Sequence, residues 1–234
     1  KLTLWNEDIE KVKAGDKIHL INGYVNEWQG EMQLTTGRMG KIEVVGKVDV
    51  GELFKAGISI VTPNKKGNSG PLKLYKEIHE AAQMSAGIFF YETNVGAGLP
   101  VLGTLRDLVK TGDEICTIEG VFSGTLSFIF NTYSGSVPFS EVVRGARKKG
   151  YTEPDPRDDL CGLDVARKAL ILAREVGLSL ELKDIKVENL VPPAARKAKS
   201  VADFFTLLKK YDGEFKKRFE QAAKEKKVLR YIAK

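Results

Sequence analysis

The sequence predicts an α+β protein, in which a small antiparallel β module precedes a larger part that combines helices and strands. Two observations support this class. Before about residue 50, segments rich in β-branched and aromatic residues alternate with glycine-containing breaks. After it, segments with helical spacing of apolar residues alternate with short apolar runs. The 234 residues allow one large domain or two modest ones.

The predicted strands are short and lie in both parts of the chain. Before residue 50 they are LTLW, KAGDKIHLINGYV and EMQLTTGRMGKIEVV. After it they are GISIVT (57–62, a short buried strand), GIFFYETN (87–94), EICTIEGVFS (114–123) and the start of a strand in KVLRYIA (227–233).

The predicted helices follow from apolar spacing and from residues typical of helix ends. They are 71–84, 101–112, 139–150, about 159–177, and an amphipathic helix or helix pair from Phe204 to Ala222. Pro71 suits a first turn, Gly112 a C-terminal end, and Ser140 an N-cap. Gly213 is a candidate kink in the last of them.

The composition is ordinary for a globular protein without a membrane span. Hydrophobic residues make up 42% and charged residues 29%, and no run approaches the ~18 apolar residues of a spanning helix. The net charge is +6, but residues 1–50 contain seven basic and eight acidic residues, a net −1. The positive excess suits a nucleic acid or a phosphate-bearing cofactor. Cys116 and Cys161 match no metal or redox spacing, which predicts reduced thiols and a cytoplasmic protein.

The segment GYTEPDPRDDLCGLDVARK (150–168) gathers one Glu and four Asp next to two prolines and a lysine. The prolines hold the loop extended, with Glu153 presented. Asp164 and Lys168 are four residues apart and share a helix face. On a cleft-facing helix, Lys168 can exchange a proton while Asp164 and Glu153 hold a cationic group. Spacing alone leaves open a second interpretation, an acidic helix start with an i,i+4 pair worth a few tenths of a kcal/mol.

Five long segments resemble homoserine dehydrogenases, the fungal-type enzymes in particular, over about three quarters of the chain. They are ISIVTPNKK (58–66), YETNVGAGLPVLGTLRDLVKTGDEI (91–115), IEGVFSGTLSFIFN (118–131), GYTEPDPRDDLCGLDVARKALILAREVG (150–177) and AAKEKKVLRYI (222–232). The resemblance implies NAD(P)H-dependent interconversion of L-aspartate 4-semialdehyde and L-homoserine, on the route to threonine and methionine. It further implies a mixed sheet with helices on one face and a homodimer formed through that sheet.

The same resemblance implies roles for individual residues. Lys168 is the implied proton donor to the aldehyde oxygen, because an ammonium stabilises negative charge that develops there. The implied residues are Lys168, Lys65 and Asp159 for catalysis, Glu153, Asp164, Gly124 and Thr125 for the small-molecule substrate, and Gly150 and Lys65 for the cofactor. The glycines fit tight backbone turns equally well.

The segment ETNVGAGLP (92–100) matches a monovalent-cation site of the family. The implied ligands of an ion such as sodium are the Glu92 carboxylate and the carbonyls of Val95, Ala97 and Leu99, an oxygen shell that suits a hard ion. A glycine-rich turn without an ion is the alternative. The motif lacks the third glycine of a dinucleotide fingerprint.

The resemblance departs from the family in the nucleotide-binding domain. Complete homoserine dehydrogenases begin with such a domain and its G-x-G-x-x-G turn, and this sequence contains only a piece of it before residue 69. We therefore expect weak NAD(P) binding by this chain alone. The predicted domains are 1–48 (β module), 49–68 (junction) and 69–234 (catalytic and dimerisation domain).

Residues 1–48 resemble the later half of an OB-fold of the archaeal and eukaryotic single-stranded-DNA-binding type. The resemblance implies that Trp5, Tyr24 and Trp28 stack on bases, at ~1–3 kcal/mol each. The two tryptophans fit the core or rim of a small β-barrel equally well, and the negative charge of this segment opposes binding to DNA. Nucleic-acid binding is therefore the alternative function, beside a scaffold without activity.

Overall fold

The structure is a computed structural model that describes residues 12, 16–28, 31–35, 40–47 and 49–234. The chain divides into two compact units. One contains the chain up to Ile60 together with Ile78–Phe89, and the other contains Val61–Glu77 together with Phe90–Lys234. All residues predicted for catalysis, substrate and cation belong to the second unit.

The first unit contains four strands in two separate antiparallel pairs. They are β1 (Asp16–Ile21), β2 (Tyr24–Trp28), β3 (Glu31–Thr35) and β4 (Lys41–Lys47), with β1 paired to β4 and β2 to β3. The predicted antiparallel strands are therefore confirmed for the described residues. The more specific OB-fold likeness stays a prediction. Trp5 lies outside the described residues, and so do the side chains of Tyr24 and Trp28.

Helix α1 (Val50–Lys55) follows the strands and is anchored by one aromatic residue. Asp49 begins the helix by accepting the backbone N–H groups of Gly51 and Glu52. Phe54 is fully buried and meets the edge of Phe89, with ring centroids 5.9 Å apart. Burial of such a ring contributes about 1.5–3 kcal/mol.

The rest of the described chain is rich in helices. They are α2 (Lys66–Ser69), α3 (Leu72–Gln83), α4 (Val101–Lys110), α5 (Gly124–Thr132), α6 (Phe139–Lys148), α7 (Pro156–Leu160), α8 (Leu163–Glu175), α9 (Pro193–Arg196), α10 (Val201–Lys209) and α11 (Asp212–Lys224). Short 3-10 turns lie at Glu92–Asn94 and Leu182–Asp184, and β5 (Ile60–Val61) pairs with β6 (Phe89–Phe90). Among these described helices, none combines the length and the apolar character that crossing a membrane requires.

The core of the second unit lies between α5, α6, α10 and α11. Phe139 of α6 stacks on Phe215 of α11 with centroids 3.7 Å apart, and Tyr133 meets Phe139 edge-on at 5.4 Å. Phe204 and Leu208 of α10 are fully buried in the same cluster. These helices form a packed support on which α8 and the loops before it are held.

The predicted mixed sheet is not found among the described residues, whose sheets have two strands each. The predicted strands at 114–123 and 227–233 meet only through a bridge between Gly120 and Ala233. The strand predicted at 57–62 is reduced to β5, and Val61 is 78% exposed, so its predicted burial is wrong. Apolar alternation cannot show whether a partner strand is within reach, and a strand without one forms no ladder. The coarser prediction, a helix-rich mixture of helices and strands, is confirmed.

The predicted helix ends agree best with the structure where a residue at the end itself, such as a glycine with positive φ, stops the helix. Helices α3 and α4 confirm the predictions at 71–84 and 101–112, and Gly112 ends α4 with φ +88°. The N-cap prediction for Ser140 is wrong, because Pro138 occupies the cap position of α6. Asp212 supplies the missing acceptor from α11, bonding the Ser140 N–H and hydroxyl at 2.7 Å each. That partner is remote in sequence and leaves no local signal.

Two long predicted helices are each divided into two. The helix predicted at 159–177 is divided between α7 and α8 by Gly162 at φ +75°, where the Tyr231 hydroxyl occupies the position of a side chain. The C-terminal helix pair is confirmed, but the break lies between α10 and α11, and Gly213 is inside α11 rather than at a kink. Helix α5 was not predicted.

Candidate active site

The first two turns of α8 bring two lysines to one carboxylate. The ammonium nitrogen of Lys168 lies 2.8 Å from Oδ2 of Asp164, one helical turn away. Lys65, at the start of α2, places its ammonium 2.9 Å from the other oxygen, Oδ1. The three side chains are 17%, 46% and 27% exposed for Lys168, Asp164 and Lys65. The exposed fractions leave the cluster accessible to a small molecule. Because the two lysines are mostly buried, their charges are screened less by water than those of surface lysines.

The electrostatics of this lysine–carboxylate cluster (Lys65, Asp164, Lys168) follow from the shared carboxylate. Partial burial acts to raise the pKa of Asp164, but hydrogen bonds and charges from Lys168 and Lys65 outweigh it and hold the pKa below its usual 3.8. Asp164 is therefore ionised at neutral pH. One negative charge between two ammonium groups leaves the cluster net positive, which favours an oxygen that gains negative charge.

A second acceptor fixes the direction of the Lys168 side chain. Its ammonium donates to the backbone carbonyl of Phe122 at 2.6 Å. Phe122 directly precedes Ser123, the N-cap of α5, whose hydroxyl accepts the Leu126 N–H. An ammonium has three protons, and the two contacts found among the described residues use two of them. Lys168 is thus held beside the positive end of α5 with one proton available.

The acidic loop between α6 and α8 is held by its own carboxylates and by α5. Asp159 accepts the backbone N–H of Glu153 at 2.8 Å, and Thr125 of α5 donates to the carbonyl of Tyr151 at 2.6 Å. Gly150 has φ +73°, which supports its interpretation as a tight turn after α6. The Glu153 carboxylate is exposed and has no hydrogen bond or ion pair within the described part of the chain.

The structure therefore brings together part of the predicted site. Lys65, Asp164 and Lys168 are in direct contact. Asp159 contacts Glu153 through its backbone, and its position is that of a residue that holds the loop. No direct contact between Glu153 and the two lysines is found among the described residues.

The segment predicted to bind a cation is built around a helix cap. Both carboxylate oxygens of Glu92 accept backbone N–H groups at the start of α4, from Leu102 and Gly103 at 2.8 Å each. Gly96 and Ala97 adopt positive φ angles of +85° and +51°. The Val95 and Ala97 carbonyls accept no hydrogen bond from the described residues. No group of three His, Cys, Asp or Glu side chains suited to a metal occurs among those residues.

A buried polar network behind Lys65 was missed from the sequence. The Asn68 amide donates to Oδ1 of Asn94 at 2.9 Å, and the Asn94 amide donates to the carbonyl of Thr62 at 3.0 Å. Arg174 of α8 donates to the carbonyl of Asn68 at 2.9 Å. Asn68 and Asn94 are fully buried and Arg174 is 4% exposed. The partners come from distant segments, so no local pattern indicated them.

A buried carboxyl on the last turn of α8 was missed as well. The Tyr91 hydroxyl donates to Glu175 at 2.6 Å, and Arg106 of α4 lies 3.7 Å from the other oxygen. Burial raises the pKa of Glu175, and the Tyr91 hydrogen bond and Arg106 only partly oppose it. This contact joins α8 to α4, the helix whose first N–H groups are capped by Glu92.

The fold and the cluster define a class of protein. Two ammonium groups on a shared carboxylate, beside a helix start and within reach of solvent, belong to the class of polar sites that can donate a proton or bind an anion. Helix-rich α/β architecture alone would not define that class.

The chain belongs to the homoserine dehydrogenase family. The family model named homoserine dehydrogenase matches residues 100–234, more than half of the chain. A bifunctional aspartokinase/homoserine dehydrogenase 1 of Zea mays chloroplasts is 52% identical over 179 residues, which are 76% of this chain and 20% of that protein. The homoserine dehydrogenase of Emericella nidulans is 51% identical over 189 residues, with 76% and 51% covered. The chain spans about half the length of this fungal relative and about a fifth of the plant one.

Solved structures agree with this assignment. A crystal structure of a Candida auris protein of unknown function matches with a TM-score of 0.74 and 44% identity, over 78% of this chain and 53% of that one. A mutant hyperthermophilic archaeal homoserine dehydrogenase in complex with NADPH matches with a TM-score of 0.50 and 32% identity, over 55% of this chain and 39% of that one. The resemblance predicted from the sequence segments is confirmed at the level of the family.

Proposed function

We propose that this protein acts in the NAD(P)H-dependent interconversion of L-aspartate 4-semialdehyde and L-homoserine. The observation that carries the proposal is the Lys168 ammonium, held by Asp164 and the Phe122 carbonyl with one proton available. A bound reduced nicotinamide supplies the hydride for the aldehyde carbon. The residues of this chain supply the proton for the oxygen and bind the rest of the substrate.

Proton transfer is assigned to the lysine–carboxylate cluster. As the aldehyde is reduced, negative charge develops on its oxygen, and Lys168 donates a proton to it. Lys65 adds a second positive charge at 2.9 Å from the same carboxylate. Asp164 holds both ammonium groups in place, one on each of its two oxygens. A positioned general acid of this kind accelerates a reaction by about 10²–10⁴-fold.

Substrate binding is assigned to the acidic loop and the start of α5. The exposed Glu153 carboxylate suits the substrate ammonium. The N–H groups of Gly124 and Thr125 open the nine-residue helix α5 and suit the substrate carboxylate. Asp159 supports this arrangement by holding the Glu153 backbone.

Fewer residues of this chain can be assigned to the cofactor than to the substrate. The archaeal relative was solved with NADPH, which supports NAD(P) as the hydride carrier. The glycine turn between β6 and α4 does not suit the phosphates of a dinucleotide. The N–H groups of Leu102 and Gly103 at the start of α4 already donate to the Glu92 carboxylate, so they are not available to a phosphate. We therefore assign the phosphates to no described residue and keep Gly150 and Lys65 as proposed cofactor contacts.

We also propose a monovalent cation at the Gly96–Ala97 turn. The Val95 and Ala97 carbonyls accept no hydrogen bond from the described residues, and with the Leu99 carbonyl and the Glu92 carboxylate they offer the oxygen ligands that a hard ion prefers. Thermal unfolding in sodium chloride and in tetramethylammonium chloride of equal ionic strength tests it. We expect a higher Tm in sodium, because a ligand that binds the folded state stabilises it. Equal values in both salts would contradict the site.

A homodimer is proposed through the segments predicted as strands. Residues 114–119 and 228–232 make no backbone–backbone hydrogen bonds within the described chain. Val121, Val228 and Ile232 beside them are 42%, 69% and 50% exposed. A second copy that adds strands would satisfy both the backbone and the apolar side chains. Sedimentation analysis across a range of concentrations is expected to show a dimer, and a monomer throughout would contradict it.

Calorimetric titration with L-homoserine tests the substrate site directly. We expect saturable binding that Glu153→Gln weakens about tenfold or more, since a hydrogen bond to a charged group contributes about 1.5–3 kcal/mol. Glu141→Gln on α6 is the matched control, because Glu141 is also exposed and its carboxylate pairs with Arg144, its one ion pair among the described residues. Absence of homoserine binding, or an equal loss in the control, would argue against this assignment. The domain limits 1–48, 49–68 and 69–234 and the cytoplasmic location remain proposals from the sequence.

A further inference from the structure

The backbone of Lys65 is held by hydrogen bonds, in addition to the ion pair of its side chain. Lys65 immediately precedes the short helix α2, which ends at Ser69. The Ser69 N–H and the Ser69 hydroxyl both donate to the Lys65 carbonyl, at 2.8 Å each. Ser69 is 2% exposed. In such a dry environment, hydrogen bonds are strong and restrict the backbone to one arrangement.

The contact that orients Ser69 comes from the helix that carries the cluster. Nη1 of Arg167 lies 3.0 Å from the Ser69 hydroxyl oxygen and donates to it. Arg167 is three residues after Asp164 and therefore lies on a neighbouring part of the same helix face. Helix α8 thus holds Lys65 at two points, the ammonium through Asp164 and the carbonyl through Arg167 and Ser69.

We propose that Arg167 is a positioning residue, which fixes the Lys65 backbone through Ser69 so that the Lys65 ammonium meets Asp164. A lysine side chain has several rotatable bonds and is easily misplaced. Because Lys65 is attached to α8 at two points, its flexible side chain is restricted and its ammonium has a defined position beside Lys168. The catalytic consequence rests on the proposed function, whereas the positioning itself can be measured without turnover.

Chemical labelling of Lys65 tests the positioning. The full chain is treated with a limiting amount of an acetylating ester, and acetylation at Lys65 is measured by peptide mass spectrometry relative to exposed Lys66. Ser69→Ala removes the hydroxyl that connects Arg167 to the Lys65 carbonyl and changes no charge. Arg167→Met removes the guanidinium that donates to that hydroxyl. We expect either change to raise the labelling ratio about twofold or more, the lower end of coupling between contacting residues.

Three further variants separate positioning from general loosening. Arg167→Lys retains a charged donor and is expected to restore most of the protection. Arg144→Met on α6 is the matched control and should leave the ratio unchanged. In the described part of the chain, Arg144 pairs with Glu141 and stacks on Phe205, and it makes no ion pair with the lysine–carboxylate cluster. In an Asp164→Asn background Lys65 is already released, so adding Arg167→Met should have no further effect. Thermal unfolding of each variant verifies that the fold survives.

Kinetics add a readout that depends on the proposed function. With measurable turnover, Ser69→Ala and Arg167→Met should lower kcat severalfold and leave KM for homoserine nearly unchanged. An unchanged labelling ratio, or equal increases with Arg144→Met, overturns the positioning role even where turnover is normal. If the unaltered chain binds no L-homoserine in the calorimetric titration, the proposed function fails, while the labelling result still decides the role of Arg167.

Discussion

The ammonium of Lys65 lies 2.9 Å from Oδ1 of Asp164, although the two residues belong to different segments of the chain. The second oxygen of Asp164 binds Lys168 at 2.8 Å. One carboxylate therefore determines where two positive charges lie. A change at Asp164 should affect both lysines, whereas a change at either lysine should leave the other one paired.

Replacement of Lys168 by alanine should remove the proposed proton donor and leave the fold intact. We expect a loss of about 10²–10⁴-fold in kcat/KM for aldehyde reduction, the usual contribution of a general acid. Turnover is measured from NADPH absorbance, and folding from circular dichroism. Lys217→Ala, on the exposed surface of α11, is the control. Undiminished turnover of Lys168→Ala would remove this residue from the mechanism.

Asp164→Asn should destabilise the protein in a pH-dependent way. The pKa of Asp164 is lower in the folded state than its usual 3.8, so its ionised form stabilises the fold above that value. This contribution is lost as the pH falls through the lower folded pKa. We expect a cost of about 1 kcal/mol or less at pH 7, because the side chain is half-exposed. Variant and unaltered chain should converge once the pH has fallen below the folded pKa of Asp164.

Thermal unfolding from pH 2 to 7 measures this difference. Asp113→Asn is the control, because Asp113 is exposed and lies in a loop after α4. A difference in Tm that is constant over the whole range would show that the Asp164 contribution is unrelated to its ionisation.

Glu175→Gln should have the opposite pH dependence. Burial raises the pKa of Glu175 above its usual 4.5 in the folded state. The protonated form is therefore favoured by folding, and ionisation costs stability as the pH rises through the folded pKa. Glutamine resembles the protonated carboxyl and retains an acceptor for Tyr91. The variant should gain stability relative to the unaltered chain as the pH rises above 4.5, the usual pKa of the carboxyl, up to its raised folded pKa.

Denaturant titrations at several pH values test the Glu175 prediction, with exposed Glu80→Gln as control. If the relative stability of Glu175→Gln falls as the pH rises, the carboxylate is stabilised by Arg106 more than it is penalised by burial.

Two glycine substitutions should act in opposite directions. Gly162 has φ +75°, and a Cβ there would lie 2.0 Å from the Tyr231 hydroxyl. Gly162→Ala should cost about 1–2 kcal/mol for the left-handed backbone alone, and more for the clash. Gly145 lies inside α6 with no atom within 4 Å of an added Cβ. Gly145→Ala should stabilise by about 0.5–1 kcal/mol. Chemical denaturation measures both, and a neutral Gly162→Ala would contradict the role of Tyr231.

Much of the local structure could be predicted from the sequence. Gly112 indicated the end of α4, and the spacing of Asp164 and Lys168 predicted a pair that the structure confirms at 2.8 Å. Long family-like segments predicted the family. These features depend on neighbours in the chain, whose geometry is set by the backbone of a helix or turn.

Other features could not be predicted because their partners are remote. Asp212 replaces Ser140 as the acceptor at the start of α6, and the Tyr231 hydroxyl occupies the space beside Gly162. The predicted mixed sheet required partner strands, and the described segments meet only at Gly120 and Ala233. Alternating apolar residues indicate which side of a strand is buried and never which strand lies next to it.

The sequence by itself determined the family, most helices and the Asp164–Lys168 half of the candidate site. Only the tertiary structure decided that Lys65 completes the cluster, that Glu92 caps α4, and that Arg167 reaches Lys65 through Ser69. The physical reason is one of distance along the chain. Helical geometry places residues i and i+4 together whatever surrounds them, whereas contacts between distant segments exist only after packing has brought those segments together.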